Sequence, residues 1–243
     1  MTLSLYPALV LMTAVSILLS PLLFLVVRVL TRRTVGQAVR LLIWIYGRAW
    51  LLLFSPFMRF RVENLTPRVC KLPCLFVANH LSFFDIYCMG ALPDGDVVIV
   101  VGAWPFRLFW YAPFMRLGGY LDIERLSPED ALERCRRHVE AGAGILFFPE
   151  GSRSRDGALQ RFHSGAFKMA RELGLDVVPL CIAGTDDLLP PGRFWLAPAQ
   201  VRMRALSRVD PRQFPGELGH IAMRKYIKRQ MADNLARMQA EAS

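Results

Sequence analysis

Two polar clusters in this sequence have the residue types and spacing that acid–base chemistry on a hydroxyl group requires. The first covers residues 79–85 (NHLSFFD) and the second covers residues 148–154 (FPEGSRS). The imidazole of His80 can take a proton from a hydroxyl if the carboxylate of Asp85 holds its other nitrogen. The second cluster adds the carboxylate of Glu150, a glycine turn, and the planar cation of Arg153, which suits phosphate. Together they predict an enzyme that deprotonates a hydroxyl beside an anionic group.

Each cluster directly follows a short apolar run, which predicts that both clusters lie where buried strands end. Strands are predicted over residues 60–62, 75–79, 97–102, 120–123, 145–148, 177–182 and 201–206. Helices are predicted over 83–91, with Ser82 as its cap, and over 105–116, 128–141 and 163–173. Repeated β-α-β units predict an α/β fold with a mostly parallel mixed sheet flanked by helices. The carboxyl ends of parallel strands share one edge, where open sheets form their ligand crevice.

The N-terminal region has the composition of a membrane anchor. Residues 1–27 contain no charged side chain, a run longer than the roughly 20 residues needed to cross a hydrocarbon core. Arg28, Arg32, Arg33 and Arg40 follow, which predicts a basic connector at a cytoplasmic headgroup surface. A second apolar stretch, 41–58, is rich in Trp and Tyr and predicts an interfacial or partly inserted helix. We therefore expect a membrane-associated helical pair in the cell inner membrane, with the rest facing the cytoplasm. The alternative is two core helices of a soluble protein.

These patterns divide the chain into three parts: membrane-anchoring helices over 1–58, a catalytic domain over 59–215, and a C-terminal amphipathic helix over 216–243. The C-terminal part carries an apolar stripe at helical spacing, formed by Met223, Ile227, Met231, Leu235 and Met238. This stripe favours packing on the domain, with a membrane-surface helix as the alternative. Residues 184–198 are rich in Gly and Pro and predict a long loop near the site.

Charge and cysteine content exclude other classes of protein. The 30 Lys and Arg residues outnumber 20 Asp and Glu residues, which favours an anionic partner. No basic stripe with interleaved aromatics is present, so the partner is predicted to be a membrane and not nucleic acid. The five cysteines form no C-x-x-C pair and lack zinc spacing with the histidines. They are therefore predicted to be reduced, buried thiols, and no metal site is expected.

Taken together and in this order, the clusters match motifs of one enzyme family. Asn79, His80 and Asp85 match N-H-x-x-x-x-D, and residues 148–154 match F-P-E-G-[TS]-R-S. Residues 119–125 match a second motif through Gly119 and Arg125, and residues 178–180 match a fourth, proline-containing strand. Over roughly residues 59–206 the chain resembles the glycerolipid acyltransferase family, whose best-known members are the 1-acylglycerol-3-phosphate acyltransferases.

The resemblance implies acyl transfer from a thioester to the hydroxyl of a lysolipid, most simply 1-acylglycerol-3-phosphate. It implies His80 as general base and Asp85 as the residue that orients it. It implies an acceptor site formed by Arg125, Glu150, Gly151, Ser152 and Arg153. No metal and no permanently bound cofactor are implied, and the donor is acyl-CoA or an acyl carrier protein. Many phosphate-accepting members carry a lysine in an F-K-x-G segment, where this chain has His163, so a different lysolipid or hydroxylated lipid stays open as acceptor.

Two further functions fit parts of the pattern. A lipid acyl hydrolase would use water as acceptor or a serine nucleophile, but the chain has no G-x-S-x-G turn. A membrane scaffold that has lost catalysis would have no need of the intact His80 and Asp85 spacing. Free fatty acid without acylated product would favour the hydrolase, and binding without turnover would favour the scaffold.

Overall fold

The structure is a computed structural model that describes residues 2–190 and 193–241. Its strands are β1 (Met58–Glu63), β2 (Leu75–Ala78), β3 (Val97–Val101), β4 (Leu121–Asp122), β5 (Gly144–Phe147), β6 (Val177–Ala183) and β7 (Ala199–Ala205). They form one sheet with the order β1-β7-β6-β2-β5-β3-β4. Every neighbouring pair is parallel except β6 and β7. The predicted α/β fold with a mostly parallel mixed sheet is therefore confirmed, and each predicted strand is present.

The central strands are buried on both faces, as parallel strands between helical layers must be. Every residue of β2 and of β5 is buried. Their short apolar runs explain this position, because a strand with no polar side cannot face water. The helices are α1 (Thr2–Thr31), α2 (Val35–Phe54), α3 (Asp85–Cys88), α4 (Ala112–Leu117), α5 (Pro128–Glu140), α6 (Gly165–Glu172), α7 (Thr185–Leu188) and α8 (Gly219–Ala240).

The helix predictions are right in place but wrong in some boundaries. The predicted helix over 105–116 is a 3-10 turn at Trp104–Arg107 followed by α4, with Pro105 and Pro113 each near the start of its own piece. Proline cannot continue a helix interior, so each proline begins a new segment. The helix predicted after Ser82 begins only at Asp85, and Ser82 is not its cap. Within the predicted 184–198 loop, α7 forms directly after β6, while residues 191 and 192 lie outside the described part.

The first helix is not a core helix of a soluble domain. The Leu5–Thr31 segment has a mean hydropathy of 2.6 in its most apolar window, and 0% of that window is buried. In α2 the corresponding window has a mean hydropathy of 1.3 and is 33% buried. Both helices are long and apolar enough to cross a membrane. The soluble-core alternative therefore fails for α1, whereas α2 is partly integrated with the domain.

Arg40 corrects the prediction of a basic connector at a headgroup surface. Its side chain is 3% exposed and lies inside the protein, on the face of α2 that meets the domain. Nε donates to Asp96 Oδ1 at 2.6 Å, and Nη1 donates to the Gly118 carbonyl at 2.8 Å. A buried guanidinium requires such partners, because an unpaired buried charge is strongly destabilising. Of the preceding arginines, Arg28 and Arg32 are exposed and Arg33 is half-buried.

The C-terminal helix α8 packs on the domain, as its apolar stripe predicts. Met223, Ile227, Met231 and Met238 are buried against the main core. The helix contacts β6 and α6, so this stripe completes the core instead of facing a membrane. Residues 242 and 243 of the predicted segment lie outside the described part of the chain. The division into regions 1–58, 59–215 and 216–243 stays a prediction.

Candidate active site

The Asp85 carboxylate lies at the centre of a dense set of hydrogen bonds just beyond β2. Asp85 is fully buried, and its Oδ2 accepts from the backbone N–H groups of Leu81 at 2.7 Å and Ser82 at 2.8 Å. The same oxygen lies 2.8 Å from Nδ1 of His80. Asp85 is the first residue of α3, so the helix start places its side chain back toward the turn that carries His80. The sequence prediction that these two residues interact is correct.

This geometry fixes the tautomer of His80. The two backbone amides are obligate donors to Oδ2, so the carboxylate acts as an acceptor and Nδ1 carries the proton. The other nitrogen, Nε2, then keeps its lone pair. The imidazole is 22% exposed, and its ring lies 4.4 Å from the ring of Phe148, centroid to centroid. His80 is therefore oriented to accept a proton at Nε2 from a group in the adjacent cavity.

Thr185 is a site residue that the sequence reasoning missed. Its hydroxyl donates to Asp85 Oδ1 at 2.5 Å, and the residue is fully buried. Thr185 begins α7 directly after β6, which runs parallel to β2 and ends at the same edge of the sheet. The rule that located the two clusters, a polar residue after an apolar strand, would also have found Thr185. Hydrogen bonds therefore connect Thr185 to Asp85 and Asp85 to His80.

The second cluster holds the backbone of His80 from both sides. The Glu150 carboxylate accepts from the His80 backbone N–H at 2.7 Å, and the Ser154 N–H donates to the His80 carbonyl at 2.8 Å. The second Glu150 oxygen accepts from the Gln160 N–H at 2.8 Å. Burial raises the pKa of Glu150, and these two amide donors act against that shift. With Glu150 only 5% exposed, this geometry gives it a positioning role in place of the predicted acceptor contact.

Gly151, Ser152 and Arg153, in the middle of the FPEGSRS turn, are exposed, whereas Ser154 is buried. Gly151 has a φ of +72°, a left-handed conformation that favours glycine, and a Cβ there would come within 3.4 Å of the His163 ring. Ser152 and Arg153 are exposed, and Arg153 lines the same cavity as His80. Of these three predicted residues, only Arg153 is among the side chains that line the cavity. Acceptor binding by Gly151, Ser152 and Arg153 stays a prediction.

The structure does not bring Arg125 to this cluster. It follows β4 at the edge of the sheet, and β5 and β3 lie between β4 and β2. Its side chain is 67% exposed, with Nε 3.3 Å from Asp122 Oδ2. The cavity that contains His80 is lined by other residues of the described chain. Acceptor binding by Arg125 stays a prediction.

A cavity of about 640 Å³ opens beside the His80 ring. That volume lies in the range of roughly 300–1,000 Å³ typical of ligand pockets. The wall is formed mainly by apolar and aromatic side chains from α1, α2, α3, β3 and the 104–120 segment, and it includes the basic side chains of His80 and Arg153. On the α1 side it includes Thr13, Ser16, Ile17 and Ser20. Such a shape suits a long apolar chain whose reactive end lies at the imidazole.

No group of three His, Cys, Asp or Glu side chains able to hold a metal ion occurs in residues 2–190 and 193–241. That the site uses no metal stays a prediction. All five cysteines are buried and unpaired, in agreement with the expected reduced thiols.

The family model described as Acyltransferase matches residues 59–183, which carry both clusters and the strands that position them. The chain belongs to this family. The resemblance inferred from the sequence motifs is thereby confirmed.

Members of the acyltransferase family with related sequences come from several organisms. A chloroplastic 1-acyl-sn-glycerol-3-phosphate acyltransferase of Brassica napus is 38% identical over 49% of this chain and 36% of its own length. A chloroplastic enzyme of the same name from Arabidopsis thaliana is 34% identical over 56% of this chain and 39% of its own length. A lyso-ornithine lipid O-acyltransferase of Pseudomonas aeruginosa is 34% identical over 54% of this chain and 49% of its own length. The chain thus spans half or less of the length of these relatives.

One solved structure matches almost the whole described chain, including the N-terminal helices. The crystal structure of the 1-acyl-sn-glycerophosphate acyltransferase PlsC from Thermotoga maritima matches 97% of this chain and 98% of that chain, with a TM-score of 0.72. Sequence identity is 21%, so this likeness concerns the fold alone. The α1 and α2 pair is therefore part of the shared architecture.

Proposed function

We propose that this protein is a membrane-bound O-acyltransferase that moves a fatty acyl group from an acyl thioester to the hydroxyl of a lysolipid. The observation that carries the proposal is the His80 ring, oriented by Asp85, in the wall of a mainly apolar cavity. Catalysis of this kind needs a base at the acceptor hydroxyl and an apolar space for the acyl chain. Each methylene kept out of water contributes about 0.8 kcal/mol to binding.

In the proposed mechanism, Nε2 of His80 takes the proton from the acceptor hydroxyl. The oxygen attacks the thioester carbonyl carbon, a new C–O bond forms, and the C–S bond then breaks. The thiolate leaves with the proton that His80 received. Asp85 stabilises the imidazolium between these steps. Transfer is proposed to be direct, because all five cysteines are buried and burial raises the pKa of each thiol. The chain also has no G-x-S-x-G turn that would present a serine nucleophile.

The polar head of the acceptor is proposed to bind at Arg153, Gly151 and Ser152. All three residues are exposed and follow Glu150, which accepts from the His80 backbone N–H, and Arg153 lines the same cavity as His80. A guanidinium suits phosphate, and the names of the plant relatives point to the same acceptor. We therefore propose 1-acylglycerol-3-phosphate as acceptor in phospholipid biosynthesis, with acyl-CoA or acyl carrier protein as donor and no permanently bound cofactor.

Lyso-ornithine lipid is a second candidate acceptor. It is supported by the name of the Pseudomonas aeruginosa relative, which is 34% identical over 134 residues. It is also supported by His163, which stands beside Gly151 at the position where the motif of many phosphate-accepting members has lysine. A site that lacks this permanent cation is less suited to bind a phosphate headgroup.

A competition assay distinguishes the acceptors. Membranes containing the full chain are incubated with one labelled acyl thioester, as CoA or as carrier-protein conjugate, and an equimolar mixture of lysolipids. The mixture contains 1-oleoylglycerol-3-phosphate, lyso-ornithine lipid and lysophosphatidylethanolamine, and the labelled product is identified by mass. We expect labelled phosphatidic acid that disappears when 1-oleoylglycerol-3-phosphate is omitted. Labelled ornithine lipid would instead establish the second candidate, and free fatty acid alone would establish a hydrolase.

We propose that the protein lies in the cell inner membrane with its catalytic part facing the cytoplasm. The apolar α1 and the arginines that follow it support this orientation. Protease added outside spheroplasts is expected to leave the chain beyond Arg59 intact, and protease added to inverted vesicles is expected to cleave it. Rapid cleavage from outside would reverse the orientation.

A further inference from the structure

Four large aromatic side chains are exposed on one side of the catalytic part, and we call them the aromatic rim. They are Phe83 (37% exposed), Trp104 (53%), Phe109 (82%) and Trp110 (46%). The rings of Phe83 and Trp104 lie 5.7 Å apart, and those of Phe109 and Trp110 lie 4.8 Å apart. Exposing such side chains to water is unfavourable, and exposed apolar patches usually mark interaction sites.

Three of the four side chains of the aromatic rim are both exposed and part of the wall of the cavity beside His80. Phe83, Trp104 and Trp110 line the cavity that contains His80. The facing wall comes from α1, which contributes Ile17 and neighbouring side chains. None of the most apolar window of α1 is buried, and α1 lines the same cavity as Phe83, Trp104 and Trp110. A bilayer that covers α1 would therefore also reach these aromatic side chains. One apolar layer would therefore cover both.

The charge of the rim segment narrows the choice of partner. Between Asp96 and Asp122 the chain has no acidic residue, and it carries the exposed arginines Arg107 and Arg116. Tryptophan and phenylalanine flanked by arginine are typical of segments that lie at the headgroup level of a bilayer. Anionic headgroups attract the arginines, and the aromatic rings bury their apolar faces among the acyl chains.

We propose that the aromatic rim is a membrane-contacting surface, separate from the helical anchor, that seats the cavity opening on an anionic lipid bilayer. This proposal rests on the proposed membrane association and adds a second contact on the catalytic part. It places the lipid acceptor directly at the opening, so that the acceptor can reach His80 without crossing water. The aromatic rim would then determine how the lipid acceptor reaches the site, whereas α1 would hold the protein in the membrane.

A fluorescent label at position 109 tests this contact in the full chain. Phe109→Cys is labelled with an environment-sensitive maleimide dye and reconstituted in phosphatidylethanolamine and phosphatidylglycerol vesicles containing a doxyl-labelled lipid. Native thiols give little background, because all five are buried. Tyr226→Cys, at an exposed aromatic position of α8, is the matched control. We expect a blue shift and strong quenching at 109 and neither at 226. Equal quenching at the two positions, or none at 109, would overturn the proposal.

A second measurement separates this proposal from the proposed activity. Phe109 does not line the cavity, so Phe109→Asp should leave turnover of a monomeric, short-chain lysolipid unchanged. With vesicle-embedded lysolipid we expect kcat/KM to fall by roughly tenfold, which is the scale of one large apolar contact. An unchanged kcat/KM with vesicle-embedded lysolipid would contradict the proposed membrane contact of the aromatic rim. The label requires no turnover, so an inactive protein would refute only the proposed function.

Discussion

Replacing His80 by Ala is expected to lower acyl transfer by about 10²–10⁴-fold, because general base catalysis contributes that much to a typical reaction. The structure gives a specific reason for a loss in this range. Nδ1 is held by Asp85 at 2.8 Å, so Nε2 faces the cavity as the proton acceptor. The measurement is the initial rate of labelled product in membranes with equal amounts of each variant.

His220→Ala is the matched control, since this histidine lies near the start of α8 and away from the cavity lining. It should keep the rate of the unsubstituted protein. Thermal unfolding in detergent should be similar for both variants, because the His80 ring is partly exposed and its backbone bonds remain. Near-normal activity of His80→Ala would discard the mechanism.

Asp85→Asn is expected to lower kcat by about 10²–10⁴-fold, through loss of the charge that orients and stabilises the imidazolium. An asparagine can keep its oxygen toward Leu81, Ser82 and His80 and turn its amide toward Thr185, so the fold should survive. The result expected is a fall in kcat with little change in the KM of the acyl donor. Asp233→Asn on α8 serves as control.

Thr185 allows a graded version of this test. Thr185→Val removes only the hydroxyl that donates to Asp85 Oδ1 at 2.5 Å. A hydrogen bond to a buried charged group is worth about 1.5–3 kcal/mol, so kcat should fall by roughly 10–100-fold. Thr185→Ser restores the donor and should restore most of the rate. If Val kept the rate and Ser lost it, the methyl group and not the hydroxyl would be what matters.

The position of the catalytic cluster could be predicted because polar residues directly follow buried strands. Residues 79–85 follow β2 and residues 148–154 follow β5, and these two strands are neighbours in the sheet. An apolar run with no polar side must lie inside a parallel sheet, and its carboxyl end must lie at the crevice. Composition and local order therefore sufficed to place His80 near Glu150.

The division of roles within the cluster could not be predicted in the same way. Glu150 and Arg153 are close in the sequence, yet their surroundings differ. Glu150 is buried and accepts hydrogen bonds from two backbone amides, whereas Arg153 is exposed. Which of them faces a ligand depends on the path of the turn and on Gln160, ten residues away. Thr185 lies 100 residues from Asp85, so only the sheet order brings them together.

The buried pair of Arg40 and Asp96 has a consequence for how this protein can be handled. The pair joins the second helix to the start of β3 across 56 residues of sequence, with Nε 2.6 Å from the carboxylate. Deleting the N-terminal 58 residues would leave Asp96 without its cation and would expose to water the surface of the domain that α2 covers, so we expect the remaining chain to be less stable. The same deletion would remove one wall of the cavity. The helices α1 and α2 are thus an integral part of the protein's architecture, and a chain that lacks them is expected to fold less stably.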